Sequence, residues 1–241
     1  MKTILITGSN SDIGIAIAKA LAEYPINLAL HYYSNQTKAE SLKEWLDKKN
    51  IRNKLFQTDL TQPSLTEGLI KETLREFANI DVLINVIGPF VYKDILEVSP
   101  QEWDQDIKSN LSTCFNTCHY TLETLKKNQG HIINFAFSGI ENITARPMSA
   151  GYCAAKTGVA VLTKSLATAL APYKVRVNAI CPGLVEEGDI SSEERQNMAD
   201  QIPYGRPVHP NEIGKTVKWL IFDSPESMTG SFLTVSGGWE Y

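Results

Sequence analysis

The sequence contains no apolar run approaching the ~18 residues that cross a bilayer, and residues 1–3 pass straight into a β-branched stretch rather than a leader. No membrane span is therefore expected, and the cytoplasm is the expected compartment. Lysine and arginine never cluster, and the formal net charge of -4 gives no field that would attract nucleic acid. A small neutral or anionic ligand must then be held by local groups. Cysteine is scarce: Cys114, Cys118, Cys153 and Cys181 sit singly among apolar neighbours, which suits reduced, buried thiols. Cys114, Cys118 and His119 do not make a metal centre, because no second ligand cluster completes a tetrahedral set and adjacent helical residues point about 100° apart. No metal is expected. A Gly-Lys-Ser/Thr closure is also missing, which excludes a nucleotide-triphosphate P-loop. Repeats, low-complexity tracts and linkers are absent, so residues 1–241 read as one domain.

What is present is a regular alternation. At 43% hydrophobic residues the chain can bury one substantial core. β-Branched or apolar runs at 2–7, 27–33, 53–58, 80–84, 131–137, 175–180 and 232–235 predict about seven strands. Apolar residues at helical spacing predict helices over 13–21, 38–49, 64–77, 100–127, 152–171 and 211–222. Strands alternating with helices of this length imply right-handed crossovers and a doubly wound parallel α/β sheet with helices on both faces. The polar stretch 186–201 shows little strand character, and 184–207 is expected to be a substrate-binding segment.

Four features carry chemistry. The turn GSNSDIG at 8–14 joins a strand to a helix, and its small residues let backbone N–H groups at a helix N-terminus face a phosphate. NVIG at 85–88 ends the fourth strand on a glycine that permits close backbone approach. Asn110 lies in the middle of a long predicted helix, where it is either solvated or a polar group in a dry core that requires a partner. Tyr152 and Lys156 are four positions apart, on one helix face. A phenol that gives up a proton near neutrality needs its pKa lowered by roughly 3 units, about 4 kcal/mol. An ammonium about 4 Å away at an effective dielectric of ~20 supplies that amount.

The ordered set TGSNSDIG, Asp59 at a strand end, NVIG, Asn110, IINFAFS, YCAAK, VNAICPG and MTG…VSGG resembles the short-chain dehydrogenase/reductase family over essentially the whole chain. GPF, NFAFSG and PYGRP look most like its 3-oxoacyl-(acyl-carrier-protein) reductase-like members. The resemblance implies a Rossmann-type fold in which Tyr152 is the proton donor or acceptor. Lys156 would tune Tyr152 and hold the nicotinamide ribose, Asn110 would anchor a relay water, and Ser138 would orient the substrate oxygen. Thr7, Gly8, Ser9, Ile13 and Gly14 would surround the cofactor, Asp59 and Leu60 the adenine, Asn85 and Gly88 the adenosine ribose, and Pro182, Gly183 and Val185 the nicotinamide. It also implies a homo-oligomer, tetramer or dimer, paired through the helices at 100–127 and 148–171.

Three features depart from the family's pattern. Asp12 stands where the turn usually has its middle glycine, and it either repels a pyrophosphate or, as is expected here, turns away to cap the first helix. Ser138 precedes Tyr152 by fourteen positions where thirteen is common. Either one extra loop residue is absorbed and Ser138 donates, or Phe137 occupies the serine's place and Tyr152 acts with Lys156 and Asn110 alone. Val86 and Ile87 replace two residues of NNAG and enlarge apolar packing under the cofactor. After the second strand, Tyr33, Ser34 and their neighbours include no acid to repel a 2′-phosphate, and Lys38 is near enough to help, so NADP(H) is expected over NAD(H). Phe90, Tyr92, Phe137, Met148 and Tyr204 suggest an apolar, aromatic-walled pocket, and Arg146 is either solvated or meets an anionic substrate group. An NADPH-dependent reductase of a small ketone or acyl thioester is the leading expectation. A pteridine- or quinone-type reductase and a non-catalytic dinucleotide-binding subunit are the alternatives.

Overall fold

A computed structural model describes residues 1–186 and 191–240, apart from the side chains at 194 and 195. Seven parallel strands run in the order β3-β2-β1-β4-β5-β6-β7. They are β1 Lys2–Thr7, β2 Ile26–Tyr32, β3 Arg52–Gln57, β4 Val82–Asn85, β5 His131–Phe135, β6 Arg176–Pro182 and β7 Phe232–Val235. The sequence reverses direction across the sheet between β1 and β4, which lie side by side with Thr7 opposite Asn85. Doubly wound sheets open a crevice at such a reversal, outside the carboxyl ends of the strands.

The period of two within β1 divides the core. Ile4 and Ile6 face α1 (Asp12–Leu21), α2 (Gln36–Lys48) and α8 (Pro210–Phe222), packing with Ile17, Leu46 and Val217. Leu5 faces α3 (Pro63–Phe77), α5 (Thr113–Asn128) and α6 (Ala150–Leu170), packing with Leu69, Cys118 and Val159. Both faces of the sheet are therefore dry, which is why β1, β2 and β4 read as nearly unbroken apolar runs.

Two expectations need correction. The helix predicted over 100–127 is α4 (Pro100–Ile107), a π-helical turn over Lys108–Ser112, then α5. In that turn the Thr113 N–H reaches the Lys108 carbonyl, five residues back, so one extra residue is accommodated and Asn110 is turned inward. Within 184–207 the chain forms a helix, α7 (Ser192–Ala199), where only polar loop was expected. Val185 forms a parallel bridge with Val208, while 187–190 lie outside the described residues.

Candidate active site

The turn after β1 is fixed from three sides. Gly8 adopts φ 63°, a left-handed conformation that costs glycine nothing. Its N–H donates to His31 Nδ1 at 3.3 Å, and Ser9 donates to the His31 carbonyl from N at 2.8 Å and from Oγ at 3.0 Å. His31 Nε2 is 2.9 Å from the Thr58 carbonyl, so the neutral tautomer protonated at Nε2 satisfies both contacts. Burial lowers this histidine to about 4, opposed by the Thr58 carbonyl and Asp59. Gly14 then presses α1 against the turn: a Cβ there would meet the Gly8 carbonyl oxygen and lie 2.8 Å from the Ser9 backbone. This is a cradle that only glycine fits, with helix N–H groups at its rim, and it suits a phosphorylated ligand.

Ser11, not Asp12, caps α1, accepting from the Gly14 N–H at 3.0 Å. The Asp12 carboxylate instead pairs with the Lys38 ammonium at 2.5 Å. The expected cap by Asp12 is thereby corrected.

A cleft of about 510 Å³ opens beside the turn, along the strand ends. Of the sequence-predicted residues, Gly8, Ile13, Tyr33, Ser34, Gly88, Tyr152, Lys156, Pro182, Gly183 and Val185 line it. Thr7, Ser9 and Gly14 are buried in the turn and strand that support it. Three others are placed elsewhere. Asp59 faces a neighbouring cleft, where Thr61 bonds it and holds its carboxyl below the usual range, and Leu60 is buried against the core. The Asn85 side chain turns inward, donating to Asn134 Oδ1 at 3.0 Å and to Cys118 Sγ at 3.4 Å, and accepting from Thr117 Oγ1 at 2.7 Å. Asn134 in turn donates to Thr163 Oγ1 at 2.9 Å, so this polar network joins β4, β5, α5 and α6. Among the described residues no group of three or more His, Cys, Asp or Glu side chains is placed to hold a metal.

Tyr152 and Lys156 stand on the first two turns of α6. Lys156 is 3% exposed; its Nζ donates to the Phe135 carbonyl at 3.0 Å and lies 5.7 Å from the Tyr152 ring centre. Burial lowers this lysine from 10.5 to about 8. Asn110 is fully buried and donates from Nδ2 to the Pro89 and Asp106 carbonyls, both at 3.2 Å, while its Oδ1 is buried without a partner. Gly88 brings the two together: a Cβ there would strike Asn110 Oδ1 and lie 2.5 Å from Lys156 Nζ.

Phe137 and Ser138 are placed differently relative to the cleft. Beyond β5 the chain stays extended, with the Ala136 and Ser138 N–H groups both donating to β6 at 2.9 Å. Phe135, Ala136 and Phe137 line the cleft, while Ser138 does not; its Oγ is fully buried without a hydrogen-bond partner. The Phe137 ring lies 6.3 Å from that of Tyr152, and Phe90 meets Tyr152 edge-on at 5.0 Å. Arg146 rests over Phe137 at 5.8 Å. Tyr92 and Tyr204, expected in the pocket wall, are 67% and 68% exposed and outside the lining. His31 and Trp239 line the cleft unforeseen. His31 lies within an apolar strand run and Trp239 follows two glycines, and neither context marks a site residue in the sequence.

Glycine cradle, Tyr–Lys pair and strand-end crevice define a dinucleotide-binding oxidoreductase of the doubly wound α/β class. The comparisons narrow this. A family model described as enoyl-(acyl carrier protein) reductase matches residues 8–240. The 3-oxoacyl-(acyl-carrier-protein) reductase of Staphylococcus aureus is 34% identical over 98% of this chain and 97% of its own; that of Chlamydia trachomatis is 29% identical over 98% and 96%. A variant of actinorhodin polyketide ketoreductase with NADPH superposes with a TM-score of 0.91 at 26% identity, covering 98% of this chain and 96% of its own. The chain belongs to the short-chain dehydrogenase/reductase family and is an oxidoreductase of the CH–OH/C=O pair that uses a nicotinamide dinucleotide.

Proposed function

We propose that this protein is an NADP(H)-dependent carbonyl reductase in which Tyr152 protonates the substrate oxygen. The observation that carries the reading is the buried Lys156 beneath Tyr152, on the wall of a cleft whose other end is the glycine cradle. The dinucleotide, when bound, supplies the hydride to the carbonyl carbon. Tyr152 then gives its proton to the developing alkoxide, and the Lys156 ammonium stabilises the phenolate left behind. Asn110 Oδ1, buried without a partner, is the acceptor a relay water needs to return that proton. Gly8, Ser11 and Ile13, which line the cleft at the turn, would hold the phosphates, and Pro182, Gly183 and Val185 would hold the nicotinamide. Of the expected substrate-binding segment, Leu184 and Val185 line the cleft. NADP(H) is supported by the acid-free end of β2 at Tyr33 and Ser34 and by the NADPH of the ketoreductase relative. Four free, buried cysteines support a reducing compartment, the cytoplasm.

The relatives support a 3-oxoacyl thioester as substrate. Phe137 favours a second reading, a flat conjugated carbonyl such as a quinone or pteridine. A phenyl ring at this place donates nothing to an oxyanion, and a missing donor typically costs ~10²-fold or more. A conjugated acceptor spreads its charge and stacks against Phe137 and Phe90. NADPH consumption is to be followed with a short 3-oxoacyl thioester and with a quinone, wild type beside Tyr152→Phe. Wild-type turnover that falls ~10²–10⁴-fold in the variant, with NADPH still bound, is the expected result, and the preferred substrate separates the two readings. If wild type binds NADPH but turns over neither, the catalytic reading fails in favour of a non-catalytic dinucleotide-binding subunit.

A further inference from the structure

The cleft changes character along its length. Toward β1 and β2 its wall is polar, with Asn10, Ser11 and Ser34. On the other side each successive strand end sends one large apolar side chain into it: Phe90 after β4, Phe137 after β5, Leu184 after β6 and Trp239 after β7. These strands are neighbours in the sheet, so the row crosses three strand spacings, about 14 Å. Tyr152 stands at the Phe90–Phe137 end of the row and Trp239 at the other. Lys156, bonded to the Phe135 carbonyl, is the one lysine, arginine or carboxylate among the described lining residues.

Trp239 is aimed by the turn that follows β7. Its N–H donates to the Ser236 carbonyl at 3.2 Å, closing a four-residue turn in which Gly237 and Gly238 have φ 63° and 82°. Positive φ at both central positions is the pattern of a type I′ turn, which glycine adopts without strain. Two neighbouring segments hold this corner. The Gly183 N–H donates to the Val235 carbonyl and the Tyr204 N–H to the Gly237 carbonyl, both at 2.9 Å. A Cβ on Gly237 would lie 2.9 Å from Tyr204 Cβ and 3.0 Å from Ile202 Cγ2. The half-buried indole is thus seated on a packed corner beside the Pro182–Val185 wall.

We propose that Trp239 is a specificity-determining residue, and that the substrate is a ketone carrying an aromatic ring on the side remote from its carbonyl. The inference rests on the carbonyl-reductase reading above. Tyr152 fixes the carbonyl at one end of the row, so whatever extends from it along the strand ends meets Leu184 and then the indole. A saturated tail needs only apolar area, which any large apolar side chain supplies. An aromatic ring gains more from an indole, because the electron-rich face of one ring meets the electron-poor edge of the other. That preference is severalfold in affinity beyond the area covered. Three of the four side chains in the row are aromatic, which extends the same preference along its length.

Calorimetric titration of the NADP⁺-loaded protein with benzylacetone and with its ring-saturated counterpart isolates the aromatic ring without any need for turnover. Trp239→Leu is expected to weaken benzylacetone about fivefold and the saturated ketone less than about twofold, with NADPH affinity unchanged. Trp239→Phe, which returns an aromatic face to the same turn, is expected to recover most of the loss. Equal losses for the two ketones, no loss in Trp239→Leu, or a loss that Trp239→Phe does not recover would overturn the proposal. Wild type that binds NADPH but neither ketone overturns it as well. NADPH consumption with the same ketones judges the underlying reading separately. If wild type binds benzylacetone selectively yet reduces neither ketone nor a 3-oxoacyl thioester, the reductase reading fails while the contact with Trp239 stands.

Discussion

His31 links the acid stability of the protein to its phosphate-binding turn. In the folded chain Nδ1 accepts the Gly8 N–H, and burial holds the ring near 4 against 6.5 for an exposed histidine. Between those values the unfolded chain binds a proton that the folded chain refuses, so stability rises with pH through this window. As pH falls from about 6.5 to about 4, the fold loses up to about 3 kcal/mol through this residue. His131, also lowered by burial, adds a slope of the same sign. Urea denaturation at pH 7, 5.5 and 4 should therefore show a steep decline in wild type and a shallower one in His31→Asn. Parallel profiles would dissociate His31 from the acid response.

Among the elements, the join between β1 and α1 is the least tolerant of added volume. Gly14 has backbone within 2.8 Å of where a Cβ would lie, and backbone cannot swing aside as a side chain can. Gly14→Ala is expected to cost ~1–3 kcal/mol and to weaken NADPH binding, as read from the thermal midpoint and a binding titration. Gly68→Ala is the control, since a Cβ there meets nothing within 4 Å. An unchanged dinucleotide affinity in Gly14→Ala would show that the turn does not hold the phosphates. Elements of this kind were legible in the sequence because their signals are local. The turn at 8–14, both flanking elements and the strand–helix alternation follow from apolar periodicity and small residues. What escaped depended on contacts across the fold. The π-helical turn around Asn110 has no period of its own, and the inward course of Asn85 depends on Asn134 of β5 and on Thr117 and Cys118 of α5. Local sequence points to Asp12 as the cap, whereas its ion pair is with Lys38, twenty-six positions away. Phe137 and Ser138 could not be separated without the pairing of β5 to β6.

At the scale of the molecule, two of the helices that cover one face of the sheet leave apolar side chains in solvent. Phe115 on α5 is 50% exposed and Val161 on α6 is 62% exposed. The small-residue face of α6 is partly used within the chain, since Gly158 admits Leu111. We propose that the remaining face pairs with a second copy through a two-fold axis. Light scattering should report a dimer or tetramer for wild type and a smaller species for Val161→Arg. A monomeric wild type would reject this surface as an interface.

The π-helical turn at Lys108–Ser112 carries a further implication, for the chain's tolerance of length. Each residue of a helix turns its successors by about 100°. The single extra residue therefore sets the rotational phase of all of α5, bringing Cys114, Thr117, Cys118 and Thr121 against the sheet while Phe115 and His119 face outward. Substitutions along this helix can be absorbed one at a time. Loss of one residue from the turn would rotate the whole helix by about 100° and carry part of its dry face into solvent. The segment thus behaves as a spacer whose count is fixed more firmly than its composition.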